Sequence, residues 1–210
     1  ALSAGGARVA LAGSAALVAA AADATTGSAG FEAAVVPAPG ARPVAVVAGS
    51  GSHVTAAQAA HVGAADPAAS LVLVTASDEP ARGVEAAELA LARTADLLVL
   101  RLDGVHPDSR AAVARLAEHA VALADGRDLV LTGGETARAV LTRLGVTALR
   151  PVAQLSHGAV VSVAEDGRLV ATKPGSFGGP AELHDLVLLL HRLRAPHVPD
   201  PTAPPLLEAL

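Results

Sequence analysis

Short β-branched runs alternate along the chain with alanine- and leucine-rich stretches of helical period. This is the signature of βα units around a mainly parallel sheet. Val9 to Ala12 reads as a first strand, with Ser14 capping a helix to about Ala22, and a Gly/Pro-rich connection runs from Thr25 to Arg42. Val44 to Ala48 (VAVVA) is a buried strand that ends in Gly49-Ser50-Gly51-Ser52 and feeds an alanine-rich helix to about Ala65. Leu71 to Thr75 and Leu97 to Leu100 are further strands. Asp108 caps a helix whose apolar stripe is Val113, Leu116, Ala117, Ala120 and Leu123, closed by Gly126. Asp128 to Thr132 then runs into Gly133-Gly134-Glu135-Thr136, and the helix that follows places Ala137, Val140, Leu141 and Leu144 on one face and stops at Gly145.

Beyond that point the period changes. Val160 to Val163 and Leu169 to Thr172 flank Glu165-Asp166-Gly167, an Asp-Gly hairpin turn. Pro180 opens a last helix with the stripe Leu183, Leu186, Val187, Leu190 and Leu193. The expected fold is α/β: a mainly parallel sheet with helices on both faces, closed by a C-terminal β-hairpin and helix. The expected organisation is one domain over residues 1–195 and a proline-rich tail over 196–210, which does not pack.

Composition narrows the function classes. Hydrophobic residues make up 52% of the 210 and charged residues 17%, which excludes disorder for most of the chain. No apolar run reaches the ~18 residues of a membrane span, so no membrane partner is expected. Net charge is −5 without a basic cluster, which argues against a nucleic-acid partner. Absent cysteine removes disulfides and thiol chemistry. Arg8 and the apolar Val9 to Ala22 imitate an export signal. That run is mostly alanine, is interrupted by Gly13-Ser14, and follows no methionine, so a cytoplasmic location is the expectation. The chain opens on Ala1 and contains no methionine, which reads as a fragment or a processed chain. Homo-oligomerisation stays open.

Three glycine-bearing segments fall at strand ends: Gly49 to Thr55, Thr132 to Thr136, and Lys173 to Gly178. Ligands of open α/β sheets bind outside the carboxyl ends of strands. Glycine lets backbone N–H groups approach an anion there, and a following helix adds its positive end. Three such loops describe a polyphosphate or nucleotide site, with Ser50, Ser52, Thr55 and Thr136 supplying hydroxyls. Taken singly, each is better explained as a tight turn with a capping Ser or Thr. No Walker A loop exists, because the single lysine precedes Pro174. Gly49 and Gly51 begin a dinucleotide fingerprint, but Val54 takes its third glycine position. With Asp78 as a ribose-binding acid, a NAD-dependent oxidoreductase is the enzymatic alternative.

The ordered set GSGSHVTAAQ, LTGGETARAVLTRLGV, a hairpin and TKPGSFGGP resembles the C-terminal nucleotide-binding domain of the four-carbon acid sugar kinases. The likeness runs over roughly Val9 to Leu193. It implies that ATP, with Mg²⁺, is the cofactor of a kinase acting on threonate, erythronate or 3-oxo-tetronate acids. It also implies that Ser50, Gly51, Ser52, Gly133, Gly134, Glu135, Thr136, Lys173 and Gly175 line the nucleotide site. Two positions depart from the family's pattern, His53 and Ser156-His157-Gly158; the second bears on the wall of the adenine pocket. The family's N-terminal domain, which binds the sugar acid and carries a D-D-x-T-G motif, has no counterpart here. A kinase half incomplete for catalysis alone is therefore expected, and a non-catalytic nucleotide-binding module is the remaining alternative.

Lys173 is the only lysine among 15 cationic residues, and its compact ammonium suits a phosphate contact. The alternative is an incidental, solvent-exposed lysine. Glu135, in a first helical turn, would face ribose hydroxyls or Mg²⁺, or simply cap. Phe177 packs against adenine or plugs the core beneath its loop, and the core reading is preferred. The eight histidines form no metal-binding spacing, and no transition metal is expected. No residue is marked as catalytic.

Overall fold

The computed structural model describes residues 39–74, 92–102 and 108–195. The first expected strand and helix, Asp78 and the proline-rich tail lie outside these residues. Among the described residues seven strands form one sheet: β1 (Val44–Ala48), β2 (Ser70–Val74), β3 (Leu97–Leu102), β4 (Asp128–Thr132), β5 (Leu149–Ser156), β6 (Ala159–Ala164) and β7 (Leu169–Lys173). Their order is β2-β3-β1-β4-β7-β6-β5. The first five strands in that order run parallel, while β6 is antiparallel to both β7 and β5.

Helices α1 (His53–Ala65), α2 (Ser109–Leu123), α3 (Gly134–Arg143) and α4 (Glu182–Arg194) cover both faces. On one face the Ala45, Val47, Leu98, Leu100, Leu129 and Leu131 side chains meet the apolar stripe of α2 and Val140 of α3. On the other, Val44, Val46, Val99 and Val130 meet Ala59 and Val62 of α1 and Leu183, Leu186, Val187 and Leu190 of α4. Strands buried on both faces explain the unbroken apolar runs of β1 and β4. Asp108 caps α2 through its carboxylate, 2.9 Å from the Ala111 N–H, and Ser52 caps α1 in the same way.

The Glu165-Asp166-Gly167 turn joins β6 to β7, with Gly167 at φ +75°, the left-handed position of a three-residue hairpin loop. Strand β5 has no counterpart in the sequence reading. It lies at the sheet edge, where Pro151 is tolerated beside a register shift between Pro151 and Ala153, and its mixed composition masks the alternation. The last helix begins at Glu182 rather than at Pro180, after a turn.

At the base of the sheet Asp128 and Arg194 form a buried two-pronged pair, Nε to Oδ2 at 2.9 Å and Nη2 to Oδ1 at 2.7 Å. Asp128 Oδ1 also accepts the Leu169 N–H at 2.8 Å, and Arg194 donates to the Gly167 carbonyl. This cluster ties the end of α4 to the start of β4 and to the hairpin. It fixes the frame from below.

Candidate functional site

From β1 the chain crosses to β2 and β3 on one side, then returns to β4 on the other. Helices α1 and α3 lie on opposite faces, so the loops that leave β1 and β4 diverge. This is a topological switch point, where sheets of this kind bind ligands. The loop after β7 joins them from the next strand over. All three glycine-bearing segments therefore meet at the carboxyl ends of the central parallel strands.

Their contacts are close. A Cβ on Gly49 would overlap the Thr136 hydroxyl, which is buried against the β1 loop. A Cβ on Gly175 would sit 2.7 Å from Ser50 Cβ and 3.7 Å from Gly133 Cα. Glycine at 49 and 175 is what lets the loops touch. Gly133 has φ +95° and its N–H bonds to the Lys173 carbonyl at 2.9 Å, extending the β4–β7 ladder. It is the N-cap of α3 and supplies no side-chain cap, so the first N–H groups of α3 face outward beside exposed Gly134 and Glu135. Space around the Gly134 Cα is open.

Helix α1 grips the β7 loop. Ser52, Thr55 and Gln58 repeat at three-residue spacing along one face. Ser52 Oγ and Thr55 Oγ1 donate to the Gly175 carbonyl at 3.2 and 2.6 Å. Gln58 is fully buried, and its Nε2 donates to the carbonyls of Phe177 at 3.1 Å and Gly179 at 2.9 Å. Gln58 Oε1 in turn accepts from Lys173 Nζ at 3.1 Å. The sequence reading gave Gln58 no role. Its signal was a polar residue in register with Ser52 and Thr55 on an otherwise alanine-rich helix.

Lys173 is 4% exposed, which removes the solvent-exposed alternative for it. Its ammonium points inward, toward Gln58, the Pro174 carbonyl at 2.7 Å and Thr132 Oγ1 at 3.4 Å. Burial holds this ammonium below the usual lysine range, against the opposing pull of Glu182. Phe177 is 60% exposed and plugs no core, contrary to the preferred sequence reading. Its backbone is clamped while its ring faces solvent, because Gln58 holds the carbonyl and the flanking glycines leave nothing to cover the side chain. The Ser156-His157-Gly158 segment is the β5–β6 turn. A Cβ on Gly158 would contact Pro174, and Ser156 Oγ bonds to Glu182, so the turn abuts the β7 loop.

Fold and loops together define an α/β domain of the ligand-binding, switch-point class. The sequence pattern of the nucleotide-binding C-terminal domain matches residues 45–183, and the chain belongs to that family. A 3-oxo-tetronate kinase of Cupriavidus necator is 46% identical over 56 residues, which cover 26% of this chain and 13% of that protein. A Bordetella bronchiseptica protein with a domain of unknown function, crystallised with citrate as a domain-swapped dimer, superposes with a TM-score of 0.61 at 26% identity. The match covers 74% of this chain and 42% of that one. A Haemophilus influenzae protein shares the fold, with a TM-score of 0.53 at 18% identity over 75% of this chain and 42% of that one. The chain thus spans less than half the length of these relatives. These findings bear out the resemblance to the C-terminal domain of four-carbon acid sugar kinases. No helix among the described residues is long and apolar enough to cross a membrane.

Proposed function

We propose that this domain binds ATP with Mg²⁺ as the nucleotide half of a kinase that phosphorylates a four-carbon sugar acid. The observation that carries the reading is the convergence of the β1, β4 and β7 loops at the switch point around the uncapped start of α3. Phosphate oxygens would accept from the first N–H groups of α3, with Gly133 and Gly134 allowing close approach. Ser50, Gly51, Ser52, Thr136 and Gly175 shape the loops around the phosphates, and Lys173 acts from below by holding Gln58 and the Pro174 carbonyl.

Mg²⁺ suits this chemistry. Among the described residues no three His, Cys, Asp or Glu side chains gather into a cage. Mg²⁺ is ordinarily held by substrate phosphates and one or two carboxylates, and Glu135, exposed in the first turn of α3, would offer one. When bound, the ion would neutralise phosphate charge. The sugar acid and the base for its hydroxyl would come from a substrate domain outside these 210 residues, and the working location would be the cytoplasm.

Calorimetric titration with ATP·Mg²⁺, ADP·Mg²⁺ and NAD tests the reading. ATP should bind more tightly than NAD, and the reverse order would favour the oxidoreductase. The chain by itself should phosphorylate none of threonate, erythronate and 3-oxo-tetronate, leaving only slow ATP hydrolysis. Phosphorylation should appear on adding an N-terminal half of the family type, because in-line transfer tolerates little misplacement of the acceptor.

A further inference from the structure

The last pair of the β1–β3 ladder sets Arg101 beside Ala48, one residue before the Gly49 loop. There a cavity of about 90 Å³ opens between the β1 loop, the start of α1 and the end of β3. Ser50, Gly51, Ser52, Thr55 and Arg101 supply its polar lining, and among the described residues no carboxylate takes part. A single water needs only ~10–15 Å³, so the space admits a group of several heavy atoms.

Arg101 is half-buried and makes no hydrogen bond or ion pair with any described residue. Lys173, the other cation near these loops, has its partners within the protein. A guanidinium drawn partly out of water without a partner is unfavourable, and an oxyanion would relieve it. Ser50 adds to the same side. Its Oγ accepts the Ser52 N–H at 3.3 Å, and its own proton is left for a ligand. The described polar side chains that line the cavity are hydroxyls and the Arg101 guanidinium, and Ala48, Ala56 and Leu102 complete its wall.

We infer that Arg101 holds the terminal phosphoryl group of the bound nucleotide in this cavity. The inference rests on the nucleotide reading, since it is the Ser50–Ser52 loop that joins the cavity to the switch point. A planar fork suits a doubly charged phosphoryl group, and a cation at that end stabilises charge that develops during transfer. A carboxylate of an acid substrate has the same oxyanion chemistry. The two sources differ in which ligand feels the loss of Arg101.

The test is calorimetric titration of the 210-residue chain and its Arg101→Gln variant with ATP·Mg²⁺, ADP·Mg²⁺ and threonate. Thermal unfolding establishes that the variant is folded, and Arg101→Lys, which keeps the charge, serves if it is not. Wild type should prefer ATP to ADP. Arg101→Gln should lose about tenfold in ATP affinity with ADP changed less than twofold, and Arg101→Lys should fall between. Equal losses for ATP and ADP, or no loss for either, would overturn the inference while leaving the nucleotide reading intact. Threonate binding that is lost with Arg101 while ATP binding persists would reassign the cavity to the acid. Failure of wild type to bind either nucleotide would remove both readings together.

Discussion

Lys173 gives the chain an alkaline signature. Burial lowers its pKa in the folded state, while the unfolded chain titrates at about 10.4. Below the folded value the lysine is charged in both states and the burial penalty is present in full. Between the folded value and about 10.4 the unfolded chain holds more protons, so stability rises with pH. The chain has no tyrosine or cysteine and no other lysine, so in that window the signal is nearly isolated. Urea unfolding followed by circular dichroism should show the rise, and Lys173→Met should abolish it. A flat profile in the wild type would mean that the ammonium is not buried. Phe177 makes the opposite kind of prediction. An exposed ring carries little stability, so Phe177→Ala should change it by no more than ~0.5 kcal/mol. A loss of ~3–5 kcal/mol would return the ring to the core. Phe177 was misjudged from sequence because side-chain type was taken as a guide to burial. Near a glycine loop, burial is decided by backbone contacts between segments far apart in the chain.

At the level of elements, most of the fold was legible. Strands β1 and β4 are buried on both faces and so are written as continuous apolar runs, and α2 and α4 show their stripes in sequence. Strand β5 was not, because an edge strand with Pro151 and mixed side chains carries no period. The convergence of the three loops followed from their positions at strand ends. The grip of α1 on the β7 loop did not, since a polar residue on a helix is ordinarily turned to water. Gln58→Ala tests that grip. It leaves the Phe177 and Gly179 carbonyls and the Lys173 ammonium each short of a partner, and should cost ~1–3 kcal/mol in thermal unfolding. The contact between β1 and α3 is tested by Gly49→Ala, which overpacks against Thr136 and should cost ~1–3 kcal/mol. Adding Thr136→Ala should recover part of that loss. Strict additivity in the double variant would mean that the two loops do not press on each other.

Across the whole molecule, the buried Asp128–Arg194 pair and the proposed nucleotide site occupy opposite ends of the sheet. Asp128 opens β4 at the base, and Gly133 follows the other end of the same strand. Asp128→Ala strands the Arg194 guanidinium in the interior, and should cost ~3–5 kcal/mol. In whatever fraction stays folded, ATP affinity should be close to that of the wild type. This separation makes a clean test of the site available at Gly134. The Gly134 Cα has open space around it, so a larger side chain fits the fold while filling the ground where phosphate oxygens would approach α3. Titration of Gly134→Val with ATP·Mg²⁺, at unchanged thermal stability, is the most direct measure. The account predicts at least a tenfold loss of affinity, about 1.4 kcal/mol. ATP binding as tight as that of the wild type would contradict it and place the nucleotide away from these loops.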